Sequence, residues 1–479
     1  MVVSDDTILQ YFDRQPRQVQ VDLVRTLRDK WSTATCHVIR APVAAGKSDF
    51  AVAIARWVAC EFGLTVTICP PTYELQRQYE SGFKDLASLK GQNAYRCGLE
   101  NSYRSCGAIK NKCSKCKHTA ATLAATASQL RLMLPYTLLG TKGTVGYPDV
   151  LIIDEAHKLV EEQREAQTVK LWRDKHPWPR DMETHADVVQ WLDNCHRVDP
   201  HKTRSAARAM LLDKDVPVLV DATQDLYAGK LKDVLKFVSL SGRKAKPTLW
   251  PPARVKVVIL MSATINARDV YELGLDRFHQ VAYHDCDSPI LPSSRPFYVM
   301  PYVDMAYKDR ALSVPELAAY IDRCASVHVD WAGFVHATYE LAIQLRAYLT
   351  GPRYVWHTKD NKDQVLADFR ADGGRSGRIL VGSGLTEGVD LVGDIARWQV
   401  LTSIPYASMG DAATVARSEL DPEFYADAAV KSLIQAYGRV CRTPTDHGAT
   451  YIFDSRFKQL YDEWTYLFPP WFRDAVRWS

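Results

Sequence analysis

The chain has 479 residues, 47% of them hydrophobic and 24% charged. That length holds two or three domains with ordinary cores, and the composition excludes a disordered or fibrous chain. A net charge of only +4 offers no global argument for nucleic acid, so any such argument rests on local patches.

The N-terminal stretch MVVSDDTILQYFDRQ lacks the charged start and apolar core of a secretory signal. The most apolar stretch, Phe50 to Cys69, is broken by Arg56 and Glu61, so a membrane span is not expected. The expectation is a cytoplasmic, monomeric protein without membrane contact. Cys36–Arg40 reads as a strand and Lys47–Ala59 as a helix, with Ala41-Pro-Val-Ala-Ala45-Gly46-Lys47-Ser48 between them. A phosphate-binding loop needs this context. The backbone N–H groups of Ala45 and Gly46 and the helix N-terminus face the phosphates, Lys47 reaches the β- and γ-phosphates, and Ser48 ligates Mg²⁺. Ala41 stands where the common motif has glycine.

A strand over Thr65–Cys69 and a helix over Glu74–Leu86 follow. The segment of about Lys90 to Met133 reads as an insertion. It carries Cys97, Cys106, Cys113 and Cys116, the last two in C-x2-C spacing. Four thiolates suit a [4Fe–4S] cluster or, alternatively, a structural zinc. A single C-x2-C pair favours iron–sulfur, as a staple for a segment with little core. Eight lysines and arginines between Lys84 and His118 face only Asp85 and Glu100. With Tyr95 and Tyr103 interleaved, Arg96, Lys112, Lys115 and Lys117 are candidates to bind phosphates while the rings stack unpaired bases.

The apolar strand Val150–Ile153 ends in Asp154-Glu155-Ala156-His157. Asp154 at the strand end can hold Mg²⁺, and Glu155 can orient and deprotonate a water. His157 is expected to contact the second domain and link hydrolysis to movement. About Lys158 to Pro252 is a second insertion, rich in charge and tryptophan, with helical spacing in places and no strong strand pattern at its centre. A strand over Val255–Leu260 leads to Met261-Ser262-Ala263-Thr264, whose hydroxyls can relay the nucleotide state to nucleic acid. Strands are then expected at Gly333–His336, Tyr354–His357, Ile379–Gly382, Gln399–Ser403 and Thr450–Phe453. Two separate parallel sheets, each wrapped by helices, follow from this α/β alternation. On a helix, Gln435, Arg439 and Arg442 share one face at i, i+4 and i+7, and two guanidiniums there can stabilise a transferred phosphoryl group.

Gly46-Lys47-Ser48, Asp154–His157, Ser262–Thr264, Gly384-Leu-Thr-Glu387-Gly388-Val-Asp390, Gln435–Arg442, Ser288-Pro289 and the four-cysteine insertion together resemble superfamily 2 helicases of the XPD/DinG-like iron–sulfur type. The likeness runs from about Gln18 to Asp454. It implies an α/β fold of two RecA-like domains: residues 1–89, 134–157 and 253–285 form the first, and 286–479 the second. Residues 90–133 form an iron–sulfur insertion and 158–252 a helical Arch-like insertion in the first. It also implies that Gln18 lies on the adenine side. Thr72, Leu75 and Gln78 track the nucleic-acid backbone with Thr264, and Glu387, Gly388 and Asp390 couple strand contact to ATP. Such relatives hydrolyse ATP with Mg²⁺, move 5′→3′ along single-stranded DNA and open forked duplexes, with RNA less favoured. The competing expectation is an ATP-driven remodeller or loading factor that does not separate strands. The chain departs from the family in Ala41, in its short length and in its compact cysteine spacing.

Overall fold

The computed structural model describes residues 5–96, 116–179, 181–182, 184–198, 201–213, 217–227, 230–241, 249–308, 310–383, 391 and 393–479. The chain forms two compact units. The first comprises Met1–Ala41, Gly46–Cys286 and Asp411–Ala416; the second comprises Pro42–Ala45, Asp287–Gly410 and Arg417–Ser479. Each carries a seven-stranded sheet in which every neighbouring pair is parallel. Both sheets are RecA-like. Among the described residues no helix is long and apolar enough to cross a membrane.

The first sheet runs, in spatial order, Val281–Asp285, Cys36–Arg40, Val257–Ser262, Val150–Ile153, Val66–Cys69, Leu130–Leu132 and Ala87–Ser88. Val66–Cys69 and Val150–Ile153 are buried at every position. A parallel strand is covered on both faces, so it reads as an unbroken apolar run rather than an alternating one. The helix Lys47–Phe62 buries nine residues between Phe50 and Ala59 and ends at Gly63, whose left-handed backbone (φ 64°) returns its N–H to the Ala59 carbonyl. The strands that precede Ala41, Asp154 and Ala263 lie side by side, with Arg40 paired to Ser262 and Ile153 to Leu260. Three segments spread over about 220 residues therefore emerge together at the carboxyl edge, where open α/β sheets bind ligands.

The second sheet runs Tyr354–Trp356, Ile379–Gly382, Gly333–His336, Trp398–Leu401, Ala449–Asp454, Phe297–Val303 and Val476–Trp478. The strand at Phe297–Val303 was not expected. Pro301 interrupts it, and its pairing with Ala449–Asp454 shifts register between Val299 and Val303. Val281–Asp285 also goes unforeseen, because it ends in His284 and Asp285 rather than in an apolar run.

The second insertion is not wholly helical. Besides the helices Leu159–Gln167, His185–Val198 and Lys202–Leu212, it contains an antiparallel sheet ordered Val169–Trp172, Lys230–Ser239, Val218–Tyr227. The expectation failed because Lys230-Leu-Lys-Asp-Val-Leu-Lys-Phe-Val-Ser spaces its charges like an amphipathic helix. Only Leu235, Phe237 and Ser239 show the alternating burial of a strand. The charges serve the sheet instead, with Lys170 2.7 Å and Lys236 3.4 Å from Asp225 across it. The small core beneath consists of Leu171, Trp178, Val188, Leu192, Ala207, Leu235 and Phe237.

Candidate active site

The loop after Cys36–Arg40 is built on unusual backbone. Ala44 has φ 70° and Gly46 φ 78°. The left-handed φ favours glycine there, and a Cβ would lie 2.4 Å from the Gln20 amide nitrogen, so a side chain would also displace Gln20. Gln20 is buried, donates to the Gly46 carbonyl at 3.0 Å and accepts from the Arg17 backbone at 2.8 Å. Gln18, expected on the adenine side, bonds Asp22 within its own helix at 3.0 Å. The glutamine that touches the loop is thus two residues further on. Its available signal was its place as third residue of a helix, reaching back to the residue before the helix.

Lys47 extends its ammonium to 3.3 Å from the Ala41 carbonyl and 3.6 Å from the Glu155 carboxylate. Asp154 is buried and accepts from the Glu155 N–H at 2.9 Å and from the Tyr79 hydroxyl at 2.8 Å. Ser48 opens the helix Lys47–Phe62 one position after Lys47, in the same unit as Asp154. Burial, then the neighbouring Glu155 charge, pushes the Asp154 carboxyl up to about 6, while Lys47 opposes the shift. Burial and the Asp154 charge raise the Tyr79 phenol well above its usual range, so it stays a donor. A serine hydroxyl and a carboxylate are oxygen ligands of the kind a hard cation such as Mg²⁺ takes. Tyr79 itself escaped the sequence reading, since an aromatic on a helix carries no signal of a partner 75 residues away.

Glu155 adopts the left-handed region (φ 47°, ψ 44°). Its Oε2 lies 3.4 Å from His157 Nδ1. That nitrogen is 2.8 Å from Ser262 Oγ, which in turn accepts from the Thr264 N–H at 3.2 Å. This His157–Ser262 bond lies inside the first unit. Thr264 is buried and engaged with Ser262.

In the second unit the helix Pro422–Tyr437 carries Gln435 in its last turn and stops there. Arg439 and Arg442 lie beyond it, so the shared helical face expected for the three residues does not exist. Gly438 closes the helix with an N–H to the Ile434 carbonyl at 3.1 Å, and the chain turns rather than continuing. Arg439 is buried and Arg442 half-buried.

Thr72 and Gln78 are exposed at the start and on the outer face of the helix Tyr73–Gly82, which Thr72 caps by accepting from the Leu75 N–H at 3.3 Å. Tyr95 is half-buried, its hydroxyl bonded to the Lys90 N–H at 3.0 Å and its ring against His118. Arg96 and Lys117 are exposed. Cys116 is half-buried at the start of the helix Lys117–Ala127. Cys97, Tyr103, Cys106, Lys112, Cys113, Lys115, Glu387, Gly388 and Asp390 lie outside the described residues. Among those described, no group of three or more potential ligands forms a metal site.

Residues 17–185 match the DEAD/DEAH box helicase family, and residues 334–475 match the helicase C-terminal domain. No curated protein matches the chain by sequence. Among solved structures the chain is similar to S. tokodaii Xpd4, at 14% identity and TM-score 0.59, over 97% of this chain and 100% of that one. It is also similar to an XPD helicase, at 15% identity and TM-score 0.60, over the whole of both chains. At such identity the likeness is one of fold.

Proposed function

From a chain that carries a DEAD/DEAH box helicase region and a helicase C-terminal domain on two RecA-like sheets, we propose an ATP-driven motor of the XPD/DinG-like type that moves 5′→3′ on single-stranded DNA and opens forked duplexes. One observation carries the proposal: Lys47 stands 3.6 Å from Glu155, beside a buried Asp154 that accepts from the Tyr79 hydroxyl at 2.8 Å. In this reading the loop N–H groups and Lys47 hold the β- and γ-phosphates. Ser48 and Asp154 would hold Mg²⁺, which when bound neutralises phosphate charge. Glu155 takes the proton of the attacking water, and the Tyr79 hydroxyl holds the Asp154 carboxylate in place. Arg439 and Arg442 supply cations to the transferred phosphoryl group. Thr72, Gln78, Arg96 and Lys117 offer exposed groups to the strand. The four cysteines, with Cys116 opening its helix, would hold a [4Fe–4S] cluster as a structural staple.

Strand displacement on 5′-tailed and 3′-tailed duplexes tests the proposal. The 5′-tailed substrate should separate with ATP. Lys47→Ala and Glu155→Gln should each lose about a hundredfold or more in ATP turnover, the scale of a removed general base. Hydrolysis that separates neither substrate would replace the motor with a nucleic-acid-bound remodeller.

A further inference from the structure

The helix stops at Tyr437; the Arg439 N–H still bonds back to the Ala436 carbonyl at 3.2 Å, but the Arg442 N–H bonds a side chain, so the helix does not by itself set where the arginine-bearing turn lies. Side chains from the surrounding second unit do so instead. At the near end, Gln399 donates to the Tyr437 carbonyl at 3.1 Å and to Thr450 at 2.9 Å, while His336 sits 2.7 Å from its amide oxygen. The far end is held by Asp446, whose side chain is 3% exposed. Its Oδ2 accepts from the Arg442 N–H at 3.2 Å and from the Gly393 N–H at 3.3 Å. Its Oδ1 accepts from the His447 N–H at 3.0 Å and from the Arg397 guanidinium. Arg397 is fixed in turn by Asp394 at 2.9 Å and the His447 carbonyl at 3.0 Å, and lies over the Trp331 ring.

Four donors converge on one carboxylate, and a carboxylate suits them because it is acceptor-only on both oxygens. Gly393, with φ 65°, follows Asp390 by three residues. One buried side chain therefore ties the backbone at Arg442 to the backbone just past a second helicase segment. We propose that Asp446, clamped by Arg397, is a positioning residue for the arginine-bearing turn: it acts through the Arg442 backbone, without touching nucleotide, and sets the rate of ATP turnover. This rests on the ATP-hydrolysing reading above.

Asp446→Asn is nearly isosteric but turns an amide NH₂ onto N–H donors. In the full chain, ATP turnover is measured with and without a single-stranded oligothymidylate, alongside thermal melting. Asp446→Asn should lower kcat about tenfold or more and leave KM for ATP within about threefold, as expected of a displaced group that acts on the transition state. The comparator is Asp454→Asn. Asp454 is equally buried and accepts from Ile404 at 3.0 Å and Arg456 at 2.7 Å. That variant should melt earlier to a similar degree while keeping kcat. Arg397→Lys, which loosens the clamp and keeps its charge, should lower kcat by about threefold, and it decides the matter if Asp446→Asn does not fold. The inference is overturned if the deciding variant keeps kcat within twofold of the parent chain, or if Asp454→Asn shows the same loss. A parent chain that does not turn over ATP would instead overturn the functional reading itself.

Discussion

Among the described residues, the only non-glycine side chains on left-handed backbone are Ala44 and Glu155, one in each of the two segments that face ATP in our reading. Such conformations cost about 1–3 kcal/mol each and persist where the surroundings over-determine them. Here the Glu155 N–H is bonded to Asp154, and the carboxylate is drawn toward Lys47 and His157. The loop has its own brace in Gln20. Gln20→Ala removes a buried bond to Gly46 and should raise KM for ATP about five- to tenfold, matching roughly 1 kcal/mol for such a bond, with kcat less affected. A KM within twofold of the parent would sink that role. The lysine, the paired carboxylates and the serine were legible because each lies in a contiguous segment with its own strand and helix signals. Gln20, Tyr79 and Asp446 were not, since the loop carbonyl that meets Gln20, the carboxylate that meets Tyr79 and the Arg397 that clamps Asp446 are each brought close only by folding. The adenine-side reading of Gln18 came from resemblance alone, and the periodicity that grouped Gln435 with the arginines presumed a helix that Gly438 ends.

Strands buried on both faces announced themselves as short apolar runs, and five of the second sheet's seven were placed within a residue or two. The hairpin of the second insertion was missed for the opposite reason. One face of its sheet meets solvent and carries lysines and aspartates, so its period of two is diluted. Cys116 begins a helix, Lys117–Ala127, in which Ala125 is the one buried residue. A metal staple accordingly predicts that anaerobically purified protein shows the broad visible absorption of an iron–sulfur cluster, and that Cys116→Ser bleaches it. A colourless protein containing zinc would overturn the cluster and keep the staple.

Over the whole molecule, acid sensitivity should come from buried imidazoles. Burial first, and then the adjacent His284, lowers His37 to about 3; burial and Lys30 lower His284 to about 4; burial lowers His336 to about 3. Each is neutral when folded and takes up a proton when unfolded below its ordinary value near 6.5. Their stabilisation is therefore complete above that pH and is lost as pH falls toward 4. Going from pH 7.5 to 5 should cost about 2 kcal/mol per histidine, read as a drop in the denaturant midpoint. His284→Gln, which can still bond His37, should shrink the drop, and an unchanged slope would rule the pair out. The sheet also explains how 14–15% identity coexists with full-length likeness. The first insertion departs after Ser88 and returns at Leu130, on the strand paired with the one it left; the second departs after Ile153 and returns at Val257, again on an adjacent strand. Because each pair is parallel, whatever is spliced into either gap has only to include a crossover from the carboxyl edge of the sheet back to its amino edge. That closure entropy grows by only about 0.6 kcal/mol for each doubling of the connecting length. Both gaps are thus places where lineages can lengthen, shorten or exchange whole modules at little thermodynamic penalty to the strands on either side.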